Sequence, residues 1–335
     1  MNNPKVTLAL SVYNVEPYLR KSLDCIINQT FRDVEILCID DCSKDGTYAI
    51  LEECAAKDDR IRLLKQPTNM GLSCSRNLAM AEARGEYILM LDGDDLFDPT
   101  MVEKAVAKAE ETGADMVMWD YLVFKDESKI PELSAVKSEM IDIDKSDALN
   151  IIKRPGFIWT RLLRLHVVKD LGIHFPEGLT KQDVIVHWVL CTKIPVERIE
   201  IIPERLAYYR VQPTQTSSRK DRSLFSLAKV QDLVYDYLLQ NPSLYKEYGD
   251  WFWFCRLYML EGMYESIIPS LKEEALQMIK ERLDDDAWEF LHSERIKLPT
   301  HRADFYKMLE GKCIPTLRFK CSVLLSDLYH LLKKY

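Results

Sequence analysis

Residues 86–95 read EYILMLDGDD. The unbroken apolar run from Tyr87 to Leu91 has the length of a buried strand, and it ends in three carboxylates within four positions: Asp92, Asp94 and Asp95. Two carboxylates about 4 Å apart repel by roughly 1 kcal/mol in water and roughly 4 kcal/mol at a surface-like dielectric. Such crowding is tolerated on a solvated turn, or where a cation lies between the oxygens. An EF-hand does not account for it. Counted from Asp92, the sixth position is Phe97 rather than Gly, and Glu103 at the twelfth lacks the intervening ligands.

The flanking sequence sets this run in a regular pattern. Strand-length apolar runs recur at VTLALSV (6–12), VEILCI (34–39), RIRLL (60–64), YILML (87–91) and DMVMW (115–119). Helical-period stretches separate them, at about 16–28, 46–57, 72–83 and 99–112. Runs without in–out alternation, alternating with helices, predict a parallel sheet covered on both faces, in a doubly wound α/β domain. Pro17 near the start of the first helix, and Asp98-Pro99 before the fourth, mark helix N-termini. In open α/β sheets ligands sit beyond the carboxyl ends of the strands. Ser11, Tyr13 and Asn14 follow the first strand, Asp40 and Asp41 the second, and Asp92 and Asp94 the fourth. The first strand is not followed by GxGxxG, and no GxxxxGK[ST] occurs, so a phosphate group would need another counter-charge. A metal ion at Asp92 and Asp94 would supply it.

The 335-residue chain is 47% hydrophobic and 29% charged, as expected of a globular protein. Its net charge of −8 argues against nucleic-acid binding. Nine cysteines without a CxxC pair argue against zinc and for reduced, buried thiols in a cytosolic protein. The N-terminal MNNPKVTLALSVYN lacks the pattern of a signal peptide. No apolar run reaches the roughly 18 residues needed to span a bilayer. From about residue 222 the pattern turns helical and aromatic, with WFWFCRLYML (251–260) as a buried helix candidate. The expected division is a catalytic domain over 1–218, with halves of about 1–120 and 121–218, and a helical region over 219–335.

Four stretches carry a resemblance: SVYNVEPYLRKSLDCIINQTF (11–31), IDDCSKDGT (39–47), NMGLSCSRNLAMAEARGEYILMLDGDD (69–95) and GIHFPEGLTKQD (172–183). In order and spacing they resemble the family 2 glycosyltransferases of GT-A fold, in particular the bacterial branch that assembles capsule, lipopolysaccharide and exopolysaccharide. The resemblance implies a nucleotide-sugar donor, a divalent ion (Mn²⁺ or Mg²⁺), and inverting transfer to a hydroxyl of a glycan or lipid-linked glycan at the cytoplasmic face of the membrane. Ser11 and Tyr13 match residues lining the nucleoside pocket. Asp41 matches the carboxylate that reads a uracil edge, which favours a UDP-sugar. Asn69 and Arg76 match residues near the base and diphosphate, and Arg210 is a candidate for the phosphates. Asp92 and Asp94 match the DxD pair, the second binding metal directly. Asp183 matches the general base.

The chain departs from the family pattern at Cys42, Gly93, Gln182, Gln215 and the WTRLLR segment (159–164), where WNKLYR is common. Gln182 stands where an acid often precedes the base, which keeps open a non-catalytic, donor-binding subunit. A sugar-phosphate nucleotidyltransferase would instead want a Gly-rich loop after the first strand. Local alternatives exist as well. Asp183 would also be a good N-cap for VIVHWVL, Asp41 could cap its own loop, and His187 reads as a buried polar residue.

In IPTLRFKCSVLLSDLYHLLKKY (314–335), Leu317, Cys321, Leu324, Leu325, Leu328, Leu331 and Leu332 form a helical stripe. Five Lys/Arg against one Asp from Lys312 onward give this tail a charge of +4 on an acidic protein. A basic amphipathic helix can lie in an anionic membrane surface, or close the core instead. Deletion of 312–335 is expected to abolish co-sedimentation with anionic vesicles; unchanged sedimentation refutes the membrane contact.

Overall fold

The computed structural model describes residues 3–131, 138–212, 215, 219–293, 295 and 297–311; the basic tail lies outside the described residues. Two compact units are present, one over 1–178 and 182–213 and the other over 179–181 and 214–335.

The first unit is built on an eight-stranded sheet of order β3-β2-β1-β4-β7-β6-β8-β5. Four strands are parallel: β1 (Val6–Val12), β2 (Val34–Asp40), β3 (Ile61–Lys65) and β4 (Tyr87–Asp92). All residues of β1 and β2, and Tyr87–Leu91 of β4, are buried, which is why none alternates in sequence. Crossovers run through α1 (Glu16–Ile27), α2 (Thr47–Ala55) and α3 (Leu72–Glu82). On α1 the buried residues Leu19, Ser22, Leu23 and Ile26 make one stripe.

After β4 the sheet becomes mixed. A two-residue β5 (Leu96–Phe97) precedes α4 (Met101–Thr112), and β6 (Met116–Phe124) follows. The N-cap of α4 is Thr100 rather than Asp98. Asp98 acts one step earlier, its Oδ1 accepting from Thr100 N at 2.8 Å and Thr100 Oγ1 at 2.6 Å. Short α5 (Ala148–Ile152) leads to β7 (Arg161–Arg164), antiparallel to both β4 and β6. Then come α6 (Leu165–Asp170), α7 (Asp183–Lys193) and β8 (Ile199–Arg210), which runs parallel to β6 and antiparallel to β5.

The second unit is helical: α8 (Ser226–Leu239), α9 (Pro242–Ser266), α10 (Lys272–Lys280), α11 (Asp285–His292) and α12 (Thr300–Leu309). The aromatic run expected to be a buried helix lies inside α9, where Phe252, Trp253, Leu257 and Leu260 are buried. Tyr235 stacks on Phe252 at 5.3 Å. Among the described residues no helix is long and apolar enough to cross a membrane, and the seven described cysteines are free.

Gly85 lets the backbone before β4 run against β1, since a Cβ there would lie 2.4 Å from Thr7 N and 2.6 Å from Tyr87 O. Gly85→Ala must therefore move main chain, and is expected to cost about 2–3 kcal/mol, seen as a fall in urea midpoint at unchanged slope. Wild-type stability would show that the strand edge yields freely.

Candidate active site

The sheet register brings the strand ends together. Ser11 is opposite Asp92 across the β1–β4 ladder, and Val12 is opposite Asp40 across β1–β2. Ser11 is buried and Tyr13, beyond the strand, is exposed. Gly93 packs against the end of β1, where a Cβ would lie 2.6 Å from Val12 Cγ1.

The acid turn is held from two sides. From α3, the buried Arg76 reaches Asp92, with Nη2 donating to Oδ1 at 3.0 Å and Oδ2 at 3.3 Å. From β8, Arg210 supplies its backbone N–H to Asp95 Oδ1 at 2.8 Å and its Nε to the Asp94 carbonyl at 2.8 Å. Gln212 Nε2 donates to Asp94 Oδ2 at 2.7 Å. Arg210 Nη1 meets Glu127 at 2.8 Å, the guanidinium lies over the Tyr18 and Phe124 rings, and buried Nη2 has no partner. Glu127 and Gln212 escaped the sequence reading. Each acts across more than eighty residues of chain, which no local pattern signals.

The compensation is incomplete. Burial, then the charge of Asp92, pushes the Asp94 carboxyl up to about 6. Asp95 is raised well above the usual carboxylate range by burial and then by Asp94 and Asp92, and its Oδ2 is buried without a partner. An all-oxygen donor set of this kind suits a hard divalent ion. Among the described residues no group of three His, Cys, Asp or Glu could hold a metal. An ion at this turn would therefore have to take only one or two carboxylates from the chain and the rest from phosphate and water, as Mg²⁺ commonly does.

Asp41 is buried and fully engaged. Oδ1 accepts from Gln66 Nε2 at 2.8 Å and Met70 N at 2.7 Å, and Oδ2 accepts from Gly71 N at 2.8 Å. Asn69 Nδ2 reaches the Asp41 carbonyl at 3.4 Å. The carboxylate thereby fixes the loop leading into α3, one helix turn before Arg76.

Asp183 is half-buried and is the first residue of α7; the N-cap is Gln182, which makes no side-chain capping bond. The segment before it is tied to α3: Ser73 Oγ donates to the Pro176 carbonyl at 2.7 Å, Asn77 Nδ2 to that of Phe175 at 2.9 Å, and Arg76 lies over the Phe175 ring. His187 is buried, as read.

With this geometry in view, the comparisons are specific. The model of Glycosyl transferase family 2 matches residues 7–168. Putative glycosyltransferase EpsH of Bacillus subtilis is 34% identical over 231 residues, 67% of this chain and 66% of EpsH, just under two-thirds of that relative's length. Glycosyltransferase GlyG of Streptococcus pneumoniae is 32% identical over 243 residues, 68% of this chain and 77% of GlyG. TarS 1–349 of S. aureus superimposes with a TM-score of 0.69 at 18% identity, covering 99% of this chain and 92% of TarS; its complex with UDP-GlcNAc gives 0.59 at 16% identity, covering 91% and 92%. The chain belongs to glycosyl transferase family 2, and its first unit has the GT-A fold.

Asp41→Asn is expected to destabilise the protein without added nucleotide by about 1–3 kcal/mol, because an amide cannot accept from all three donors. Chemical denaturation checks this; an unchanged midpoint would restrict Asp41 to ligand contact.

Proposed function

We propose that the chain is a metal-dependent inverting glycosyltransferase. It moves a sugar from a nucleotide-sugar donor, a UDP-sugar being best supported, to a hydroxyl of a glycan or lipid-linked glycan acceptor in surface-polysaccharide synthesis. The observation that carries the reading is the acid turn itself: Asp92 and Asp94 gripped by Arg76 and Arg210, with a buried guanidinium nitrogen of Arg210 unfilled. Family membership supports the reaction class, and the UDP-GlcNAc complex of TarS supports the donor class.

In this reading Ser11, Tyr13 and the loop fixed by Asp41, including Asn69, receive the nucleoside. Arg76 and Arg210 face the diphosphate. A divalent ion at Asp94, with Asp92 beside it, would offset negative charge on the leaving diphosphate. Asp183 takes the proton of the acceptor hydroxyl as that oxygen bonds to the anomeric carbon. The bond from that carbon to the diphosphate oxygen breaks, and its electron pair leaves with the diphosphate. Attack from the opposite face inverts configuration. Holding both reactants in line accounts for much of the acceleration.

Gln182, neutral and buried where an acid is common, is the feature that favours a donor-binding subunit instead. Donor hydrolysis with and without Mn²⁺ separates the two readings.

In a thermal-shift screen, UDP-GlcNAc or UDP with Mn²⁺ is expected to stabilise the wild type, and Asp94→Ala is expected to lose the metal-dependent part. Equal stabilisation of Asp94→Ala, or activity undiminished by a chelator, refutes the metal role. Asp183→Asn is expected to lower turnover about 10²–10⁴-fold while keeping the donor-induced shift. Near-normal turnover would place the base elsewhere.

A further inference from the structure

Arg210 is held from the side away from the acid turn by a residue that the reaction scheme above does not use. Soon after β6 the chain makes a short 3₁₀ turn, Glu127–Lys129, which Asp126 caps by accepting from Ser128 N at 3.0 Å and Ser128 Oγ at 2.8 Å. Glu127 leads this turn, half-buried, and takes one cation on each oxygen. Oε1 accepts from Arg210 Nη1 of β8 at 2.8 Å, and Oε2 from Lys21 Nζ of α1 at 2.5 Å. The rest of the Arg210 side chain is enclosed. Its guanidinium lies over the Tyr18 ring of α1, 5.1 Å from the centroid, and over the Phe124 ring of β6 at 4.8 Å, and the residue is buried. Tyr18 and Lys21 are three apart, so α1 brings both to this group from one face.

A guanidinium is a rigid planar fork, with Nε and Nη2 donating from one edge and Nη1 from the opposite corner. Nε is on the Asp94 carbonyl at 2.8 Å, so Nη2 beside it lies on the edge that meets the acid turn; this nitrogen is buried and has no partner. Nη1 points away from that edge, onto Glu127. Contact with ring faces attracts the cation without fixing its direction within its own plane. The hydrogen bonds supply that direction, and the one to Glu127 joins two charged groups, the stronger kind. A carboxylate this close to Arg210 would also repel a phosphate. Lys21 offsets that cost, since two cations on one carboxylate leave one net positive charge.

We propose that Glu127 is a positioning residue for Arg210: by anchoring Nη1 it sets the Nε–Nη2 edge toward the acid turn and presents Nη2 to an oxygen of the donor diphosphate. This rests on the reading of Arg210 as a diphosphate contact. It is tested on the full chain by the affinity for UDP with Mn²⁺, measured by titration calorimetry in wild type, Glu127→Gln and Glu127→Ala. Both variants remove the same charge, but only glutamine keeps an oxygen within reach of Nη1, so comparing them separates position from charge. Glu127→Ala is expected to bind UDP about tenfold more weakly than Glu127→Gln. Equal affinities in the two variants, or tighter binding by Glu127→Ala, overturn the proposal. Glu127→Ser, too short to reach Nη1, carries the same comparison should Glu127→Ala not fold. The two readings fail separately: a wild type that does not bind UDP removes the diphosphate reading and this proposal with it, whereas wild-type binding with equal variants removes Glu127 alone.

Discussion

Three carboxylates on one turn repel one another, and much of the first unit's architecture can be understood as the means of holding them. Asp92 is met by Arg76 from α3, a helix packed over the parallel strands. Asp95 and the Asp94 carbonyl are met by Arg210 from β8, three strands away from β4 in the sheet order. Strand β5, directly after the turn, pairs with β8 at Leu96–Tyr208 and Phe97–Ala207. Besides the β4–β7 pairing, the acid turn is therefore a second place where the parallel half of the sheet is fastened to the mixed half. A change at either arginine would be felt by both.

The fastening stops short of neutrality, and that shortfall has chemical content. Of the three carboxylates only that of Asp92 receives a guanidinium, from Arg76, while the Arg210 guanidinium bonds the Asp94 carbonyl and Glu127; the remaining negative charge in a poorly solvated place is expressed as the raised carboxyls of Asp94 and Asp95. A site with a complete protein cage would bind an ion whether or not substrate was present. In the proposed function, two acids would form instead a site that a cation and a diphosphate complete together, each reducing the cost of the other. Such coupling suits a proposed reaction in which the ion is needed only while a diphosphate is leaving.

Much of this was legible in the sequence, for reasons that can be named. The parallel strands announce themselves because burial on both faces leaves continuous apolar runs, and the ends of β1 and β4 agree with the runs to within a residue. The acids were visible because like charges seldom crowd without cause. What stayed hidden acts at long range. Gln212 reaches Asp94 across 118 residues and Glu127 reaches Arg210 across 83, and neither carries a local signature. Asp98 misled slightly: its carboxylate accepts from Thr100 and so caps the turn before α4, while the N-cap of the helix itself is Thr100. At Asp41 the residue type drew attention correctly, but only coordinates show that Gln66, Met70 and Gly71 occupy both oxygens.

The neutral Gln182 looks at first like damage to the proposed base, yet the electrostatics around Asp183 point elsewhere. An acid at that position would add a like charge next to Asp183 and raise its pKa. Glutamine leaves that charge out, and the N-terminal end of α7 favours an anion in its first turn. Both favour the charged form of the proposed base. A base that accepts its proton only as the new glycosidic bond forms needs its charge and position more than a high affinity for the proton, so the loss of an acid at residue 182 is compatible with turnover.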